Sequence, residues 1–305
     1  LVGWPDLDAG AFSQAGRCLL VSGATGAEIL VIDGQDLGKA LGSCVGSVPD
    51  LDGDGFPEIA AGAPGASSTG VHPGDFRIFS GADGALLASI PGSQARENFG
   101  AAWAKVGDLD GDGYPDLAIG APLAHEPGLP GWSGRVALYS GRSFRLLYEL
   151  RGKAPNGGFG STIAALQDVD LDGVPDLAVG APTASHAGMG PNGEVSVFSG
   201  ASGRHLYTVV GPEAPARLGF QLEGVGDADG DGVPDFAASA PDYTQTGVGG
   251  KLGQVQLRSG KDGALLKSWQ GKESGDVLGL GLAALGDIDG DGIGDLAFGA
   301  PGAAR

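Results

Sequence analysis

An acidic nine-residue motif recurs five times along the chain at an even spacing. Each copy has acids at positions 1, 3, 5 and 9 and glycine at position 6. The copies are Asp50–Glu58, Asp108–Asp116, Asp168–Asp176, Asp227–Asp235 and Asp287–Asp295, and their first acids are separated by 58, 60, 59 and 60 residues. A period of this length indicates a repeat architecture in which each repeat is one supersecondary unit.

The chemistry of the motif predicts a metal loop. Alternate acids around a forced turn direct several carboxylates at one centre, where they repel each other unless a cation is bound. A hard cation that takes six to eight oxygen ligands fits best, so we predict up to five structural calcium ions. The predicted carboxylate ligands are Asp50, Asp52, Asp54, Glu58, Asp108, Asp110, Asp112, Asp116, Asp168, Asp170, Asp172, Asp176, Asp227, Asp229, Asp231, Asp235, Asp287, Asp289, Asp291 and Asp295. The position-7 backbone carbonyls of Phe56, Tyr114, Val174, Val233 and Ile293 are predicted to add one ligand each.

The surroundings of the loop indicate strands and exclude an EF-hand. An EF-hand carries glutamate at position 12 and flanking helices, whereas position 12 here is Ala61, Ile119, Val179, Ala238 or Phe298. Four of these lie in short apolar runs that end in glycine and proline, as strands do, and the run around Ala238 ends in Ser239-Ala-Pro241 instead. The acidic loop is therefore predicted to join two strands.

One repeat reads as four antiparallel strands. Strand one follows Phe99-Gly100, and strand two runs from Leu117 to Gly120. Strand three is Arg135–Tyr139, a tight turn opens at Ser140-Gly141, and strand four covers about 146–150. The turn recurs as Ser-Gly-x-x-Gly in the other repeats, except that Phe144 replaces the second glycine, which predicts a different turn there. Four-stranded units repeated radially indicate an all-β propeller.

These motifs resemble FG-GAP repeats. The resemblance is carried by Phe99-Gly100, Phe159-Gly160 and the Gly-Ala-Pro triplets at 62–64, 120–122, 180–182 and 299–301. Leucine replaces phenylalanine at 41, 218 and 278, which keeps an apolar plug. The resemblance implies the β-propeller of integrin α-subunits and of many bacterial secreted proteins, with calcium between the first two strands of a blade. It also implies an extracellular or cell-surface location and a role in adhesion.

The two ends of the chain suggest how the ring closes. We expect one propeller domain over 1–305, with repeat units at about 1–38, 39–95, 96–154, 155–212, 213–270 and 271–305. The N-terminal part supplies strands three and four, and the C-terminal part supplies strands one and two, so joining them makes a fifth blade. This leaves one spare strand at Leu1–Trp4. The spare strand is a frayed end, or the ring is open because the chain is a piece of a longer one, or the strand pairs with another subunit.

Charge and composition exclude several classes of function. The formal net charge is −19, and 20 of the 37 acids lie in the five acidic loops, so the rest of the surface is almost neutral. No basic stripe exists for nucleic acid, and no apolar run is long enough to span a membrane. Leu1 is not an initiator methionine, so we expect the chain to be either processed, for example by removal of a signal peptide, or a fragment. Cys18 and Cys44 would be either a disulfide or two buried thiols.

The variable face of the propeller is the predicted place for a partner. Strand order puts the acidic loops and the tight turns on one face and the long loops between strands two and three on the other. His125, Trp132, His186 and Tyr243 lie in these long loops and are the candidate ligand-binding residues. No catalytic motif is present, so we expect no enzyme activity.

Three functions remain open. The first is a calcium-binding extracellular scaffold that binds a protein or a glycan. The second is a structural subunit that assembles into a filament or lattice through its terminal strands, with copies of itself as partners. The third is a non-catalytic propeller domain of a larger secreted enzyme.

Overall fold

The computed structural model describes residues 1–8, 13–35, 39–65, 73–186, 190–212, 215–245 and 249–303. Within these ranges the secondary structure consists of β-strands, so the all-β fold class is confirmed. No helix in the described ranges has the length and apolar character needed to cross a membrane.

The strands of the described residues form six antiparallel sheets, called blades 1 to 6 in chain order. Blade 1 contains β1 (Val2–Trp4), β2 (Arg17–Val21) and β3 (Glu28–Asp33). Blade 2 contains β4 (Val45–Val48), β5 (Glu58–Ala63), β6 (Asp75–Phe79) and β7 (Leu86–Pro91). Blade 3 contains β8 (Ala102–Lys105), β9 (Leu117–Ala121), β10 (Arg135–Tyr139) and β11 (Leu146–Arg151). Blade 4 contains β12 (Thr162–Ala165), β13 (Leu177–Ala181), β14 (Glu194–Phe198) and β15 (His205–Val210). Blade 5 contains β16 (Leu222–Gly226), β17 (Asp235–Ala240), β18 (Gln254–Arg258) and β19 (Leu265–Gln270). Blade 6 contains β20 (Leu282–Gly286) and β21 (Asp295–Phe298).

Each complete blade, from blade 2 to blade 5, is a four-stranded meander in sequence order. The second strand of these blades is buried along its whole length because it lies between neighbouring blades, which explains its small and β-branched residues. The fourth strand is more exposed because it is the outer edge.

Glycines set the joints between blades. A Cβ added to Gly120 of blade 3 would lie 2.1 Å from the carbonyl oxygen of Gly160 in blade 4, so only glycine permits this approach. The preceding residue, Phe159, is an apolar plug: its side chain is buried at the joint and is 2% exposed. Leu41 and Leu218 occupy the equivalent positions and are 1% and 0% exposed. Replacement of phenylalanine by leucine thus keeps the plug, as predicted.

The innermost strands surround a common axis. β12 packs against β8 and β16, and β16 packs against β20. A cavity of about 380 Å³ lies between the first strands of blades 2 to 5 and is lined by residues such as Val45, Trp103, Ile163 and Leu222. This radial arrangement is that of a propeller.

The expected fifth blade, closed by N- and C-terminal strands, is not observed. β2 was expected to pair with β21, but it pairs with β1 through Val2↔Leu19, Gly3↔Cys18 and Trp4↔Arg17. β21 pairs with β20, and no strand pairing in the described ranges joins blade 6 to blade 1. The reason is that Val2–Trp4 covers the edge of β2 that β21 would need.

Two local expectations are resolved by the structure. Cys18 and Cys44 are free thiols. Burial raises the pKa of each thiol to about 12. The turn at Phe144 does not differ: Phe144 adopts a left-handed φ of 54°, and its N–H donates to Ser140 O as that of Gly84 does to Ser80 O. The prediction of a different turn was therefore wrong, because the flanking strands impose the same conformation on a residue that lacks glycine's freedom.

Candidate metal centres and ligand pocket

The five acidic loops bring carboxylates together as the motif predicted. In blades 2 to 5 the acids at positions 1, 3 and 9 each offer an oxygen, and these oxygens lie within 4.8 Å of one another. The sets are Asp50, Asp52 and Glu58; Asp108, Asp110 and Asp116; Asp168, Asp170 and Asp176; Asp227, Asp229 and Asp235. In blade 6 the set is Asp287, Asp289 and Asp291, so position 5 takes the place of position 9.

The position-1 acid shapes the loop. In blade 3, Asp108 Oδ1 accepts a hydrogen bond from Gly111 N at 2.8 Å, and Oδ2 accepts one from Gly113 N at 2.9 Å. Gly113 has a φ of 88°, a conformation that favours glycine and explains glycine at position 6. The same position-1 bond to the position-6 N–H occurs in all five loops.

The position-9 acid connects the loop to the rest of its blade. In blade 4, Asp176 Oδ2 accepts from Val169 N at 2.7 Å, while Oδ1 accepts from Gly200 N in the turn between β14 and β15 at 2.8 Å. Asp116, Asp176 and Asp235 are fully buried. Burial raises the pKa of each of these carboxyls, and neighbouring acids raise it further, while the backbone hydrogen bonds lower it.

The position-5 acid contacts the same turn. Asp112 Oδ1 accepts from Tyr114 N at 2.9 Å, and its Oδ2 accepts from Ser140 Oγ at 3.1 Å. Equivalent serine bonds reach Asp54 and Asp172. The acidic loops and the tight turns therefore lie on one face, as the strand order predicted, and the position-5 acid lies outside the tightest cluster of blades 2 to 5.

The residues fit a hard cation. All the converging donors are oxygens, which is the ligand type that calcium takes. In addition, Asp170 Oδ1 is buried without a hydrogen-bond partner in the described part of the chain. A buried carboxylate oxygen without a partner is costly, and a bound cation would remove that cost.

The long loops lie on the opposite face, where two of the four candidate ligand residues come together. His125 and Trp132 have ring centroids 6.3 Å apart in an edge-on arrangement. With Arg96 and Asn156 they line a pocket of about 390 Å³. Trp132 is 47% exposed, so part of its indole ring is available to a ligand.

Backbone contacts hold this pocket in place. Asn156 Oδ1 accepts from Trp132 N at 3.2 Å, and Gln94 Oε1 accepts from His125 N at 2.8 Å. Asn156 and Gln94 lie in the connections between blades, so the pocket joins a long loop to two inter-blade segments. The sequence analysis did not select Asn156 as a ligand residue, because nothing in the motif spacing marks this inter-blade position as part of a pocket.

The other two candidate ligand residues have structural contacts. His186 Nε2 lies 2.7 Å from Glu194 Oε2, and its backbone N donates to Asn192 Oδ1. Tyr243 is 9% exposed and belongs to the core cluster of blades 4 and 5. Neither lines the pocket at Trp132, because each is engaged within its own part of the propeller.

Comparison with known proteins agrees with the repeat motifs. The family model described as FG-GAP repeat matches residues 45–76, 99–139 and 159–198. Integrin alpha-V of Gallus gallus is 33% identical over 208 residues, covering 64% of this chain and 19% of that protein. Phosphatidylinositol-glycan-specific phospholipase D of Mus musculus is 38% identical over 148 residues, covering 44% of this chain and 17% of that protein. The chain thus spans about a fifth of the length of the curated relatives it matches.

A solved structure of the Dos1 propeller aligns over 85% of this chain and 55% of its own, with a TM-score of 0.48 and 10% identity. The segments matched by the family model coincide with strands one to three of blades 2, 3 and 4, including the acidic loops. Blades 2, 3 and 4 of this chain are therefore FG-GAP repeats, and the chain is similar to integrin α-subunits over about two thirds of its length.

Proposed function

We propose that this chain is a calcium-stabilised extracellular binding module. The acidic loops fasten the propeller on one face, and the pocket at Trp132 takes a ligand on the other. The observation that carries the proposal is the convergence of His125, Trp132, Arg96 and Asn156 in a concave pocket of about 390 Å³ on the loop face. Concave sites with an aromatic wall and a few polar groups are typical of ligand pockets.

Calcium would have a structural role in this account. The carboxylates at positions 1, 3 and 9 would hold it. The position-5 carboxylate and the position-7 carbonyl belong to the same nine-residue loop and could supply further oxygen ligands. A bound ion supplies positive charge that offsets the repulsion between the acids, and binding to the folded state alone stabilises that state by mass action. The position-1 and position-3 acids are half-buried or exposed, so an ion at these loops would remain close to solvent. Calcium sites of modest affinity are typical of extracellular modules, which supports an extracellular location.

The pocket favours a glycan as the ligand. A half-exposed indole ring provides an apolar face on which a sugar ring can stack. The imidazole of His125 and the amide of Asn156 offer polar contacts to hydroxyl groups at the rim. A protein ligand that inserts one side chain beside Trp132 is the alternative, and similarity to integrin alpha-V supports a binding role in either case.

The experiment is a binding screen followed by one substitution. The calcium-loaded protein is screened on a glycan array, and hits are titrated by isothermal titration calorimetry. Trp132→Ala is expected to weaken binding about fivefold or more, since loss of one stacked aromatic removes about 1–3 kcal/mol. The matched control is Trp4→Ala, because Trp4 is also exposed but lies in blade 1. Equal affinity of Trp132→Ala and the parent for every hit would contradict the proposed site.

A second candidate is a non-catalytic domain of a larger secreted enzyme. It is supported by 38% identity to phosphatidylinositol-glycan-specific phospholipase D of Mus musculus, of which this chain spans 17%. In that case the chain alone has no hydrolytic activity and contributes by binding. Hydrolysis of a glycan-linked phosphatidylinositol by the isolated chain would contradict the non-catalytic role.

A further inference from the structure

The tight turn between strands three and four lies against the acidic loop of its own blade. This turn covers 80–85 in blade 2, 140–145 in blade 3, 199–204 in blade 4 and 259–264 in blade 5. In each of these blades the N–H of the first turn glycine donates to the position-9 acid, as Gly200 N does to Asp176 Oδ1 at 2.8 Å. All four blades are complete, so neither end of the chain takes part in these contacts. A charged side chain in the turn therefore lies close to the acids of the loop.

In blades 3 and 4 the last residue of the turn is an arginine that reaches a predicted calcium ligand. Arg204 Nη2 lies 3.0 Å from Oδ2 of Asp170, the position-3 acid of blade 4. The equivalent Arg145 Nη2 lies 3.8 Å from Oδ2 of Asp110, the position-3 acid of blade 3. These turns therefore place a guanidinium beside an acid that is expected to bind the ion.

Blades 3 and 5 have a cation at the third turn residue. Arg142 of blade 3 lies over the ring of Tyr114, the position-7 residue, with its Cζ 5.2 Å from the ring centroid. Lys261 of blade 5 has its Nζ 3.2 Å from Oδ2 of Asp231, the position-5 acid. Blade 3 thus has two turn cations, whereas blades 4 and 5 have one each.

Blade 2 differs because its turn contains no cation. Alanine occupies both positions, as Ala82 and Ala85, and the turn adds an acid, Asp83. Blade 5 also has an acid, Asp262, beside Lys261. Since each acidic loop has four acids, the formal charge of loop and turn together is −5 in blade 2, −4 in blade 5, −3 in blade 4 and −2 in blade 3.

We propose that the turn cations grade the calcium affinity of the loops, so that calcium fills blade 2 first, then blade 5, blade 4 and blade 3. The inference rests on the structural calcium role proposed above and adds an order of occupancy to it. Calcium affinity follows the charge of the site. One positive side chain at the edge of the loop repels a divalent cation and should weaken its binding about fivefold.

Repulsion outweighs any ordering of the ligand by the arginine. A hydrogen bond from a neighbouring side chain can also strengthen a metal site, because it fixes the orientation of the ligand. The Asp170 side chain is only 14% exposed, and Asp170 N donates to Asp176 Oδ2 at 3.2 Å, so packing already holds this acid in place. Arg204 is 66% exposed and always carries its charge, so its main effect on the loop is electrostatic.

A calcium titration followed by NMR resolves the order of occupancy. The N–H of the position-6 glycine donates to the position-1 acid in each loop, so its resonance reports binding at that loop. In calcium-buffered solutions of ¹⁵N-labelled protein, Gly55 should respond at the lowest calcium concentration, followed by Gly232, Gly173 and Gly113. Response of all four at one calcium concentration would overturn this inference and leave the calcium role intact. No response at any of them would overturn both.

Exchange of the turn residue between blades tests the cause of the order. Arg204→Ala should tighten calcium binding at the Gly173 loop about fivefold, and Ala85→Arg should weaken it at the Gly55 loop by a similar factor. Ala85 is exposed, so the loop face has room for the longer side chain. Arg204→Lys keeps the charge and should bind calcium like the parent. Arg151→Ala removes the same charge at the far end of β11 and should also bind like the parent.

Stability and salt separate this role from a purely structural one. In chelator, Arg204→Ala should melt at a slightly lower temperature than the parent, because it removes a counter-charge from clustered acids. Its calcium binding should nevertheless be tighter, and the difference from the parent should shrink as the salt concentration rises. Weaker calcium binding by Arg204→Ala would mean that the arginine orients Asp170, and this result would overturn the proposal. Unchanged binding would overturn it as well.

Discussion

The acidic loops of blade 4 and blade 6 have closely similar sequences but different surroundings. Asp176 of blade 4 is fully buried and accepts hydrogen bonds from both its own loop and the turn between β14 and β15. Asp295 of blade 6 is half-buried and, within the described ranges, accepts one bond, from its own loop. The local motif thus determines the turn, whereas burial of the position-9 acid depends on a third and fourth strand beside it.

The same contrast holds for ion pairs in a complete blade and at the end of the array. Arg135 of blade 3 is buried between Glu97 and Glu149 and lies over the ring of Phe99. Arg17 of blade 1 pairs with Asp33 at 2.5 Å, but both side chains are about a third or more exposed. The arginine that begins strand three is therefore enclosed in blade 3, whereas its equivalent in blade 1 remains partly in solvent.

The largest expected effect is on the buried ion pair. Glu97→Gln should lower the free energy of unfolding by about 3 kcal/mol, because it leaves the Arg135 guanidinium buried without its main counter-charge. Asp33→Asn, the matched change at the exposed pair, should have little effect. Urea denaturation of both variants measures the difference. Equal destabilisation by the two substitutions would contradict the contrast between enclosed and exposed charges.

A smaller effect is expected at the position-9 acids. Asp176→Ala leaves the N–H groups of Val169 and Gly200 without acceptors and should cost about 2 kcal/mol. Asp295→Ala removes one bond at a half-buried site and should cost at most half as much. Thermal melts in chelator compare the two without a metal contribution. If Asp295→Ala is as costly as Asp176→Ala, blade 6 is more enclosed than its contacts indicate.

The smallest expected effect is a pH dependence that calcium reverses. Burial raises the pKa of Asp116, Asp176 and Asp235 above their ordinary value of 3.8. A raised folded-state pKa contributes stability that is present below the unfolded value and is lost as pH rises through the folded value. In chelator, stability should therefore fall as the pH rises above the ordinary aspartate value of 3.8 and through the raised folded-state pKa of these carboxyls. With calcium it should rise over the same range, because protons compete with the ion. If the melting temperature changes with pH in the same direction in chelator and in calcium, protons and calcium do not compete for these carboxylates.

Much of this arrangement follows from the sequence because the motif is local and repeated. The acidic loop needs alternate acids and a glycine within nine residues, so five copies could be located and placed between strands without a structure. The bounds of strand three at Arg135–Tyr139 were predicted for the same reason, since turn glycines mark both ends.

The rest depends on contacts that no local pattern encodes. Closure of a fifth blade was predicted from the repeat arithmetic, but competition between β1 and β21 for the edge of β2 is a question of tertiary pairing. Tyr243 was selected as a ligand residue from its loop position, yet it packs into the core. Asn156 was not selected, although its side chain holds the backbone of Trp132 from the neighbouring inter-blade connection.

Calcium binding measured by competition with a chromophoric chelator tests the central claim most directly. The account predicts about five ions per chain, one for each acidic cluster, and a matching rise in melting temperature with calcium concentration. Asp170→Asn should remove one ion, because Asp170 Oδ1 is a buried carboxylate oxygen with no hydrogen-bond partner among the residues that the structure describes. A chain that binds no calcium at millimolar concentration, with the same melting temperature in calcium and in chelator, would contradict the claim that these loops fasten the propeller through a metal.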